Sequence, residues 1–313
     1  MKQLYPLLFR PIYKDYIWGG NKISSFFNRN DITGRCAESW EISGFPEDSS
    51  IVLNGSLEGD NLYNITNNYG SDLVGVNYIE GCLFPLLIKI LDVNTKLSIQ
   101  VHPNVNQSIN KLNGLNYLPK NELWYILDCH KLSNIFAGIN EPYNISHIRN
   151  NLISYDSKKG DMYYIPGGLV HSASSGNLIF EVQQTSKTTF RIDDWDRGRE
   201  LHLHDAKNTI VPCLRTIRRS SDSRQNRIYR MDTPLFNLSV LNLNRQRRLI
   251  TRQISFAIVF CEKGKYCLEY NNQKMILGLG QCVLIPANFN CVLTPIESSK
   301  LLIARSYYGY HPF

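Results

Sequence analysis

Short apolar or alternating runs separated by turn residues dominate this chain. Residues 84–91 form an almost continuous apolar run, which is typical of a strand buried on both faces. Residues 97–102 alternate between apolar and polar positions and end at Pro103. The same patterns predict strands at 122–129, 161–165, 178–184, 236–243, 255–261, 266–270 and 282–285.

Helical patterns are few by comparison. Apolar spacing of the helical kind occurs only at residues 21–27, 61–69, 144–152 and 203–211. Many short strands with few helices predict a mainly β protein, built as a sandwich or a barrel.

Residues 160–171 and 280–291 repeat one pattern. Each begins with Gly, has Pro six residues later and ends five residues after that, at His171 in the first copy and Cys291 in the second. Only the first copy ends in a strong metal ligand, and the apolar neighbours of Cys291 predict that it is packed in a barrel. Residues 211–234 are rich in Arg and Ser without apolar periodicity, which predicts a linker. We therefore divide the chain into residues 1–210, a linker at 211–234 and a smaller β domain at 235–313.

Composition excludes several classes of protein. Hydrophobic residues make up 43% and charged residues 19% of the chain, as in globular proteins. No apolar run approaches the roughly 18–20 residues that span a bilayer, so we expect a soluble cytoplasmic protein without a membrane partner. The eight cysteines include no CxxC pair, which disfavours a disulfide framework or a cysteine-rich zinc site.

The net charge of +7 is unevenly distributed, since residues 206–313 contain 16 basic and 5 acidic residues. A basic region can indicate a nucleic-acid partner. No motif of interleaved aromatic and basic residues accompanies the charge, so we interpret it as a solvated surface and expect no nucleic acid.

Four polar residues are candidates for a metal site: Gln100, His102, Glu122 and His171. Gln100 and His102 are two residues apart on a predicted strand, so their side chains leave the same face. Two imidazoles, a carboxylate and a carboxamide oxygen are typical of a catalytic divalent site with room for water. From the residues alone, an unrelated set of polar side chains is an equally open interpretation.

Several longer motifs resemble the type I mannose-6-phosphate isomerases, and together they extend over about residues 5–205. These are WGG at 18–20, ESWEIS at 38–43, FPLLIK at 84–89, LSIQVHP at 97–103, KNELWYI at 120–126, YIPGGLVH at 164–171 and EVQQ at 181–184. The resemblance implies a cupin-type β-barrel, or jelly roll, as the catalytic zinc-binding domain in residues 1–210. A degenerate, metal-free β-barrel would follow. It also implies one zinc ion per chain, held by Gln100, His102, Glu122 and His171.

The family interconverts mannose 6-phosphate and fructose 6-phosphate through an enediol intermediate. By this resemblance Arg191, Glu181 and Lys120 are expected to be catalytic. Ser98, Lys89 and Arg197 are expected to bind the substrate or its phosphate. From the residues alone, Arg191 could instead form a surface salt bridge within the acidic run Asp193, Asp194 and Asp196.

Lys187 is a departure from the family pattern, which commonly has an acidic residue four positions before the arginine. We expect Lys187 and Arg191 to share one face of a strand, with Lys187 helping to hold the phosphate. Three alternatives stay open: a non-catalytic cupin that binds a sugar phosphate, an isomerase of a different sugar phosphate, and an iron-dependent cupin oxygenase.

Overall fold

The computed structural model describes residues 3–105, 118–220 and 229–307. Its strands from the N-terminus to residue 139 are β1 (Leu7–Leu8), β2 (Ile12–Lys14), β3 (Glu38–Ile42), β4 (Leu86–Val93), β5 (Ile99–Val101), β6 (Glu122–Asp128) and β7 (Asn134–Ile139). The next are β8 (Leu152–Asp156), β9 (Met162–Ile165), β10 (His171–Ala173), β11 (Asn177–Gln184), β12 (Phe190–Asp193), β13 (Ile217–Arg219) and β14 (Tyr229–Asp232). The last are β15 (Phe236–Leu243), β16 (Arg247–Ile250), β17 (Ala257–Lys263), β18 (Lys265–Tyr270), β19 (Gln273–Gly278), β20 (Cys282–Ile285), β21 (Asn290–Pro295) and β22 (Ser299–Ser306).

The helices are short: α1 (Lys22–Phe27), α2 (Leu62–Tyr69), α3 (Ser71–Val74) and α4 (Leu203–Thr209). The start of α2 shows why the sequence allows a helix there, since the Asn61 side chain accepts a hydrogen bond from the Asn64 amide. Within the described part of the chain, no helix is long and apolar enough to cross a membrane.

Two compact units divide the described residues. Unit A contains residues 13–40 and 88–220, and unit B contains residues 3–12, 41–87 and 229–307. Residues 41–87 thus group with the C-terminal part of the chain rather than with the residues around them in sequence. Units A and B describe which residues contact one another. The predicted boundaries at residues 210 and 235 concern which parts of the chain fold independently, and they stay a prediction.

Unit A is built on two antiparallel sheets. One has the order β12-β5-β10-β7-β8, and the other has the order β13-β9-β6-β11-β4-β3-β2. A buried apolar cluster draws on both, for example Ile135 and Ala173 from the first sheet and Leu91, Trp124 and Tyr163 from the second. Two sheets that face each other across a shared core are the arrangement of a jelly roll.

Unit B repeats this plan on a smaller scale. Its sheets have the orders β1-β20-β17-β22-β15-β14 and β16-β21-β18-β19. Their common core includes Val259, Val283 and Ile303 from the first sheet and Leu268 and Leu293 from the second. The prediction of a mainly β chain with two barrel-like parts and few helices is confirmed.

The repeat seen in the sequence is also a repeat of backbone structure. Gly160 donates its amide to the Ile126 carbonyl at 2.8 Å, and Gly280 donates to the Cys261 carbonyl at 2.8 Å. Both glycines have left-handed φ angles, +90° and +77°. Each repeat then continues into a four-residue strand, β9 in the first and β20 in the second.

One local prediction needs correction. Residues 144–152 are not an α-helix: a 3-10 segment at Ile145–Asn151 is interrupted at His147, whose φ of −128° is not helical, and β8 begins at Leu152. The run of Asn residues there has low helix propensity. The predicted linker at 211–234 contains two short strands, β13 paired with β9 and β14 paired with β15, and residues 221–228 lie outside the described residues; its role as a linker stays a prediction.

Candidate active site

A buried cluster of three metal-ligand types lies in unit A. Atoms of His102, Glu122 and His171 able to bind a metal all lie within 4.8 Å of one another. Glu122 Oε1 is 3.0 Å from His102 Nε2, and Glu122 Oε2 is 3.7 Å from His171 Nε2. The three residues are at most 1% exposed, so only the cluster itself and its immediate neighbours can satisfy them.

Local backbone geometry explains how the cluster assembles. His102 follows β5, Glu122 opens β6 and His171 opens β10, where it pairs with Gln100. The turn before His171 packs tightly against the His102 segment, because a Cβ added to Gly167 would lie 2.3 Å from the Pro103 carbonyl oxygen. Glycine is therefore required at this position of the Pro-Gly-Gly motif.

The chemical state of the cluster fits a divalent cation. Both ring nitrogens of His102 and Oε2 of Glu122 are buried without a hydrogen-bond partner, since the 3.0 Å contact of His102 Nε2 with Glu122 Oε1 is not aligned as a hydrogen bond. Burial lowers the pKa of His102 to about 3 and also lowers the pKa of His171. Burial would raise the pKa of Glu122, but Lys120 and His102 outweigh it and hold that pKa well below the usual range. Neutral imidazoles and an ionised carboxylate are the forms that bind metal.

Gln100 lies beside this cluster with its side-chain nitrogen, rather than its oxygen, towards His171. Its nitrogen Nε2 is 3.2 Å from His171 Nε2, and its oxygen Oε1 accepts a hydrogen bond from the Ser98 hydroxyl at 3.0 Å. Binding a metal through the oxygen would require the two amide positions to exchange. Gln100 therefore lies next to the cluster with its oxygen facing Ser98, and its role as a metal ligand stays a prediction.

A row of charged side chains continues from the cluster across the sheet. Lys120 Nζ is 3.1 Å from Glu122 Oε1. Glu181 Oε2 accepts a hydrogen bond from Trp124 Nε1 at 2.8 Å, and Glu181 Oε1 is 3.4 Å from Lys89 Nζ. Burial, reinforced by the charge of Glu122, raises the pKa of Glu181 to about 7. A carboxyl group with that pKa can exchange a proton near neutral pH.

Lys89 stays charged within this buried row. Burial would lower its pKa, but the carboxylates of Glu38 and Glu181 outweigh burial, and the net direction is upward. Glu38 Oε2 lies 3.3 Å from Lys89 Nζ. The row therefore alternates acidic and basic groups.

Arg191 does not form the surface salt bridges that its sequence context allowed. Those carboxylates are occupied by other residues: Arg149 binds Asp193 and Asp196, and Asp194 accepts from two other arginines. The Arg191 guanidinium donates to the Glu200 carbonyl at 2.6 Å, and its Nε is buried without a partner. Burial lowers the pKa of Arg191, and the nearby charge of Arg199 acts in the same direction.

Arg197 is already bound by groups of the protein, which is not expected for a residue that binds phosphate. Its guanidinium bonds the Asp194 carboxylate at 2.7 Å and the Asp194 carbonyl at 2.9 Å. Arg199 binds both oxygens of the same carboxylate. Asp194 therefore compensates much of the charge of both arginines.

The prediction that Lys187 and Arg191 share a strand face is wrong. Strand β12 begins at Phe190, and residues 186–189 form no regular structure, so the alternation rule does not extend to Lys187. Lys187 is exposed, and its ammonium lies 5.6 Å from the centre of the Trp40 ring.

Asn121 is a functional candidate that the sequence reasoning missed. Its side-chain oxygen accepts hydrogen bonds from the Gly167 amide at 3.0 Å and the Tyr164 hydroxyl at 3.1 Å, and its side-chain nitrogen donates to Gln184. It therefore ties the turn before His171 to the start of the strand that carries Glu122. Its position between Lys120 and Glu122 was the available signal.

Comparison with known proteins places this site in a family. Residues 7–132 match the family described as phosphomannose isomerase type I, catalytic domain. The mannose-6-phosphate isomerase ManA of Bacillus subtilis is 38% identical over 224 residues, which is 67% of this chain and 69% of ManA. The putative mannose-6-phosphate isomerase YvyI of the same organism is 30% identical over 300 residues, 90% of this chain and 93% of YvyI.

A solved structure supports the same assignment. The mannose 6-phosphate isomerase from Bacillus subtilis superposes with a TM-score of 0.81 at 27% identity, covering 96% of this chain and 99% of that chain. The fold and site together define a cupin-type metal-dependent isomerase. The chain belongs to the type I mannose-6-phosphate isomerase family.

Proposed function

We propose that this protein interconverts mannose 6-phosphate and fructose 6-phosphate. The observation that carries the proposal is the buried His102–Glu122–His171 cluster with Lys120 in direct contact, in a chain of this family. The reaction moves a proton between C1 and C2 of the open-chain sugar and develops negative charge on the two oxygens. We also propose a cytoplasmic location, because the proposed substrate is a sugar phosphate.

We propose zinc as the metal, one ion per chain, held by His102, Glu122, His171 and the oxygen of Gln100. Imidazole and carboxylate donors in a site that leaves room for substrate suit catalytic zinc. When bound, the ion would polarise the substrate carbonyl. The orphaned nitrogens of His102 and the orphaned oxygen of Glu122 support this assignment.

The remaining roles belong to the chain's own side chains. Glu181, with its pKa near 7, is suited to accept a proton from one carbon and return it to the next. Lys120 and Arg191 supply fixed positive charge for the developing enediolate. Once the Gln100 amide has turned its oxygen to the metal, the Ser98 hydroxyl would accept a hydrogen bond from the amide nitrogen and so hold that ligand in place.

A coupled assay with metal analysis tests the proposal. We expect purified protein to convert mannose 6-phosphate, to lose activity after chelation and to regain it with zinc. Arg191→Ala should lower kcat by about 10²–10³-fold with a smaller change in KM, as removal of an oxyanion donor does. Absence of turnover by fully zinc-loaded protein would contradict the proposal.

The alternatives give different results in the same experiment. A non-catalytic cupin would bind mannose 6-phosphate without turnover, and an isomerase of another sugar phosphate would turn over a different member of a substrate panel. An oxygenase would require iron and consume oxygen, since two imidazoles and a carboxylate also bind iron.

A further inference from the structure

Unit B contains an arginine that no carboxylate of the described residues neutralises. Both terminal nitrogens of the Arg305 guanidinium donate to the Ile250 carbonyl at 3.2 Å. Arg305 lies on β22 and Ile250 on β16, so the guanidinium extends from one sheet of the unit to the other. Within the part of the chain that the structure describes, Arg305 forms no ion pair.

Strand alternation directs Arg305 towards the core of unit B. Successive side chains of a strand point to opposite faces, and Leu301 and Ile303 of β22 belong to the apolar core. Arg305 continues that face near the end of the strand, where it is half-buried. Its guanidinium therefore lies at the rim of the core, within reach of solvent.

A second donor without an acceptor lies directly opposite. Asn237 on β15 pairs with Arg305 across the two strands. Side chains of such a pair extend from the same face of the sheet, with their Cβ atoms about 4.5–5.5 Å apart. Asn237 is 1% exposed, and its side-chain nitrogen Nδ2 has no hydrogen-bond partner. A buried donor that makes no hydrogen bond is costly, so this place lacks an acceptor.

The charges around Arg305 leave an excess of positive charge. The carboxylate of Asp232 accepts from Arg230 Nε at 2.7 Å and from the Tyr307 hydroxyl, so it is already occupied. Burial lowers the pKa of Arg305, and the charge of Arg230 acts in the same direction. The Cys291 thiol and the Tyr307 hydroxyl oppose this shift, but burial raises the pKa of each, so both are uncharged at neutral pH.

We propose that Arg305 and Asn237 bind a small oxyanion, a carboxylate or phosphate group, at the rim of the unit B core. The oxygens of one such group accept hydrogen bonds from a guanidinium and from a neighbouring amide at the same time. Its negative charge also relieves the repulsion between Arg305 and Arg230. Two groups that face the site as donors exclude a metal cation as the occupant.

NMR titration of the full-length protein reads this site locally. The Arg305 Nε–H and Asn237 side-chain NH₂ signals are identified by their loss in Arg305→Gln and Asn237→Asp. Sodium phosphate is added in one series and sodium acetate in the other, with sodium chloride keeping the ionic strength constant. We expect both signals of wild type to follow one saturating curve. The anion with the lower dissociation constant identifies the group that the site prefers.

Two variants test the assigned residues. Arg305→Gln removes the charge-assisted hydrogen bonds, and binding followed at the Asn237 signal should weaken about tenfold or more. Asn237→Asp places a carboxylate of the chain itself opposite Arg305. It should abolish the response of the Arg305 signal to either anion and raise the thermal unfolding temperature, because the protein then supplies its own counter-charge.

Arg248→Gln is the matched control. Arg248 is an exposed residue of β16, and its side chain points away from the core because its neighbour Leu249 belongs to the core. This variant loses the same charge from the opposite face of the sheet. It should leave the dissociation constants at Arg305 within about twofold of wild type.

Each outcome decides the proposal. If neither anion shifts the Arg305 and Asn237 signals beyond the effect of sodium chloride, the site is overturned and a bound water is the missing acceptor. Binding of unchanged strength in Arg305→Gln or in Asn237→Asp also overturns it. If circular dichroism shows that Arg305→Gln is unfolded, Asn237→Asp alone decides. The test measures binding without turnover, so its failure leaves the function proposed above unaffected.

Discussion

Units A and B share the same backbone repeat but differ in the interior beside it. In unit A this interior holds the polar cluster His102, Glu122 and His171, and in unit B it holds apolar side chains. In unit A, Glu122 pairs with Ile165 across β6 and β9. In unit B, the corresponding pair is Ala257 with Ile285 across β17 and β20. Ile165 and Ile285 occupy the same position in the two repeats. Their strand partners therefore correspond too, and Ala257 is the counterpart of Glu122.

The other positions follow in the same way. His171 pairs with Gln100 in unit A, and Cys291 pairs with Leu249 in unit B. All three counterparts in unit B belong to one buried apolar cluster: Leu249, Ala257 and Cys291. The prediction that Cys291 is packed in the barrel is confirmed.

This difference shows which side chains a metal site requires in the interior of a barrel. The backbone alone does not set the character of the interior, because both units use the same turn and the same pairing. Burying polar groups is costly unless they are satisfied, so ligands must occupy the position together or not at all. Unit B has apolar residues at the three positions compared, Leu249, Ala257 and Cys291.

The largest effect should come from removing a ligand in unit A. His102→Ala and His171→Ala should each abolish stoichiometric metal binding and activity, because two remaining strong ligands hold the ion poorly. Metal analysis of the purified variants checks this. Cys291→Ala is the counterpart in unit B and should leave metal content and activity unchanged. Loss of the ion in Cys291→Ala would break the comparison.

A smaller effect is expected from Asn121, whose hydrogen bonds to Gly167, Tyr164 and Gln184 tie two ligand-bearing segments together. Asn121→Ala should weaken metal affinity by about 10–100-fold, as loss of an outer-shell hydrogen bond typically does. Competition with a metal indicator measures the affinity. Gln184→Ala should act in the same direction, and the double variant should be less than additive because both belong to one network. Unchanged affinity in Asn121→Ala would contradict this role.

Introducing one ligand of unit A into unit B should destabilise the protein without creating a metal site. Cys291→His places a larger, polar ring in a close-packed apolar cluster, and we expect about 2–4 kcal/mol less stability. Urea unfolding measures the change, and metal analysis should still give one ion per chain. A second ion in Cys291→His would show that unit B retains more of the site than its register indicates.

The smallest expected effect is the proton release that accompanies metal binding. The pKa of His102 is lowered to about 3, that of His171 is lowered, and that of Glu122 lies well below its usual range, so the three groups carry fewer protons at pH 6 than ordinary side chains do. Metal binding at pH 6 should therefore release fewer protons than the more than one that two imidazoles of ordinary pKa, about 6.5, would release. Calorimetric titration in two buffers of different ionisation enthalpy measures the number. Release of more than one proton at pH 6 would contradict the lowered pKa values.

The sequence predicts the strands and the ligands of unit A better than it predicts their surroundings. The apolar runs at 122–129 and 178–184 match β6 and β11 closely, because buried strands have a strong local signature. Short strands such as Glu38–Ile42 were missed, since a strand that carries Glu38 and Trp40 towards a polar site lacks that signature.

Convergence of distant residues is the part that the sequence cannot show. Trp40 and Lys187 meet only because β3, β4 and β11 are neighbours in one sheet. Strand order depends on long-range pairing, which leaves no local pattern. The same limit explains why Asn121 was overlooked, since its partners Gly167 and Gln184 are 46 and 63 residues away in sequence.

The close approach of Gly167 to Pro103 sets a limit on transplanting the metal site between the two repeats. The position equivalent to Gly167 in unit B is Ala287, whose Cβ unit A could not accommodate. Building the unit A arrangement on the unit B backbone would therefore mean replacing this turn residue as well as the interior side chains Leu249, Ala257 and Cys291.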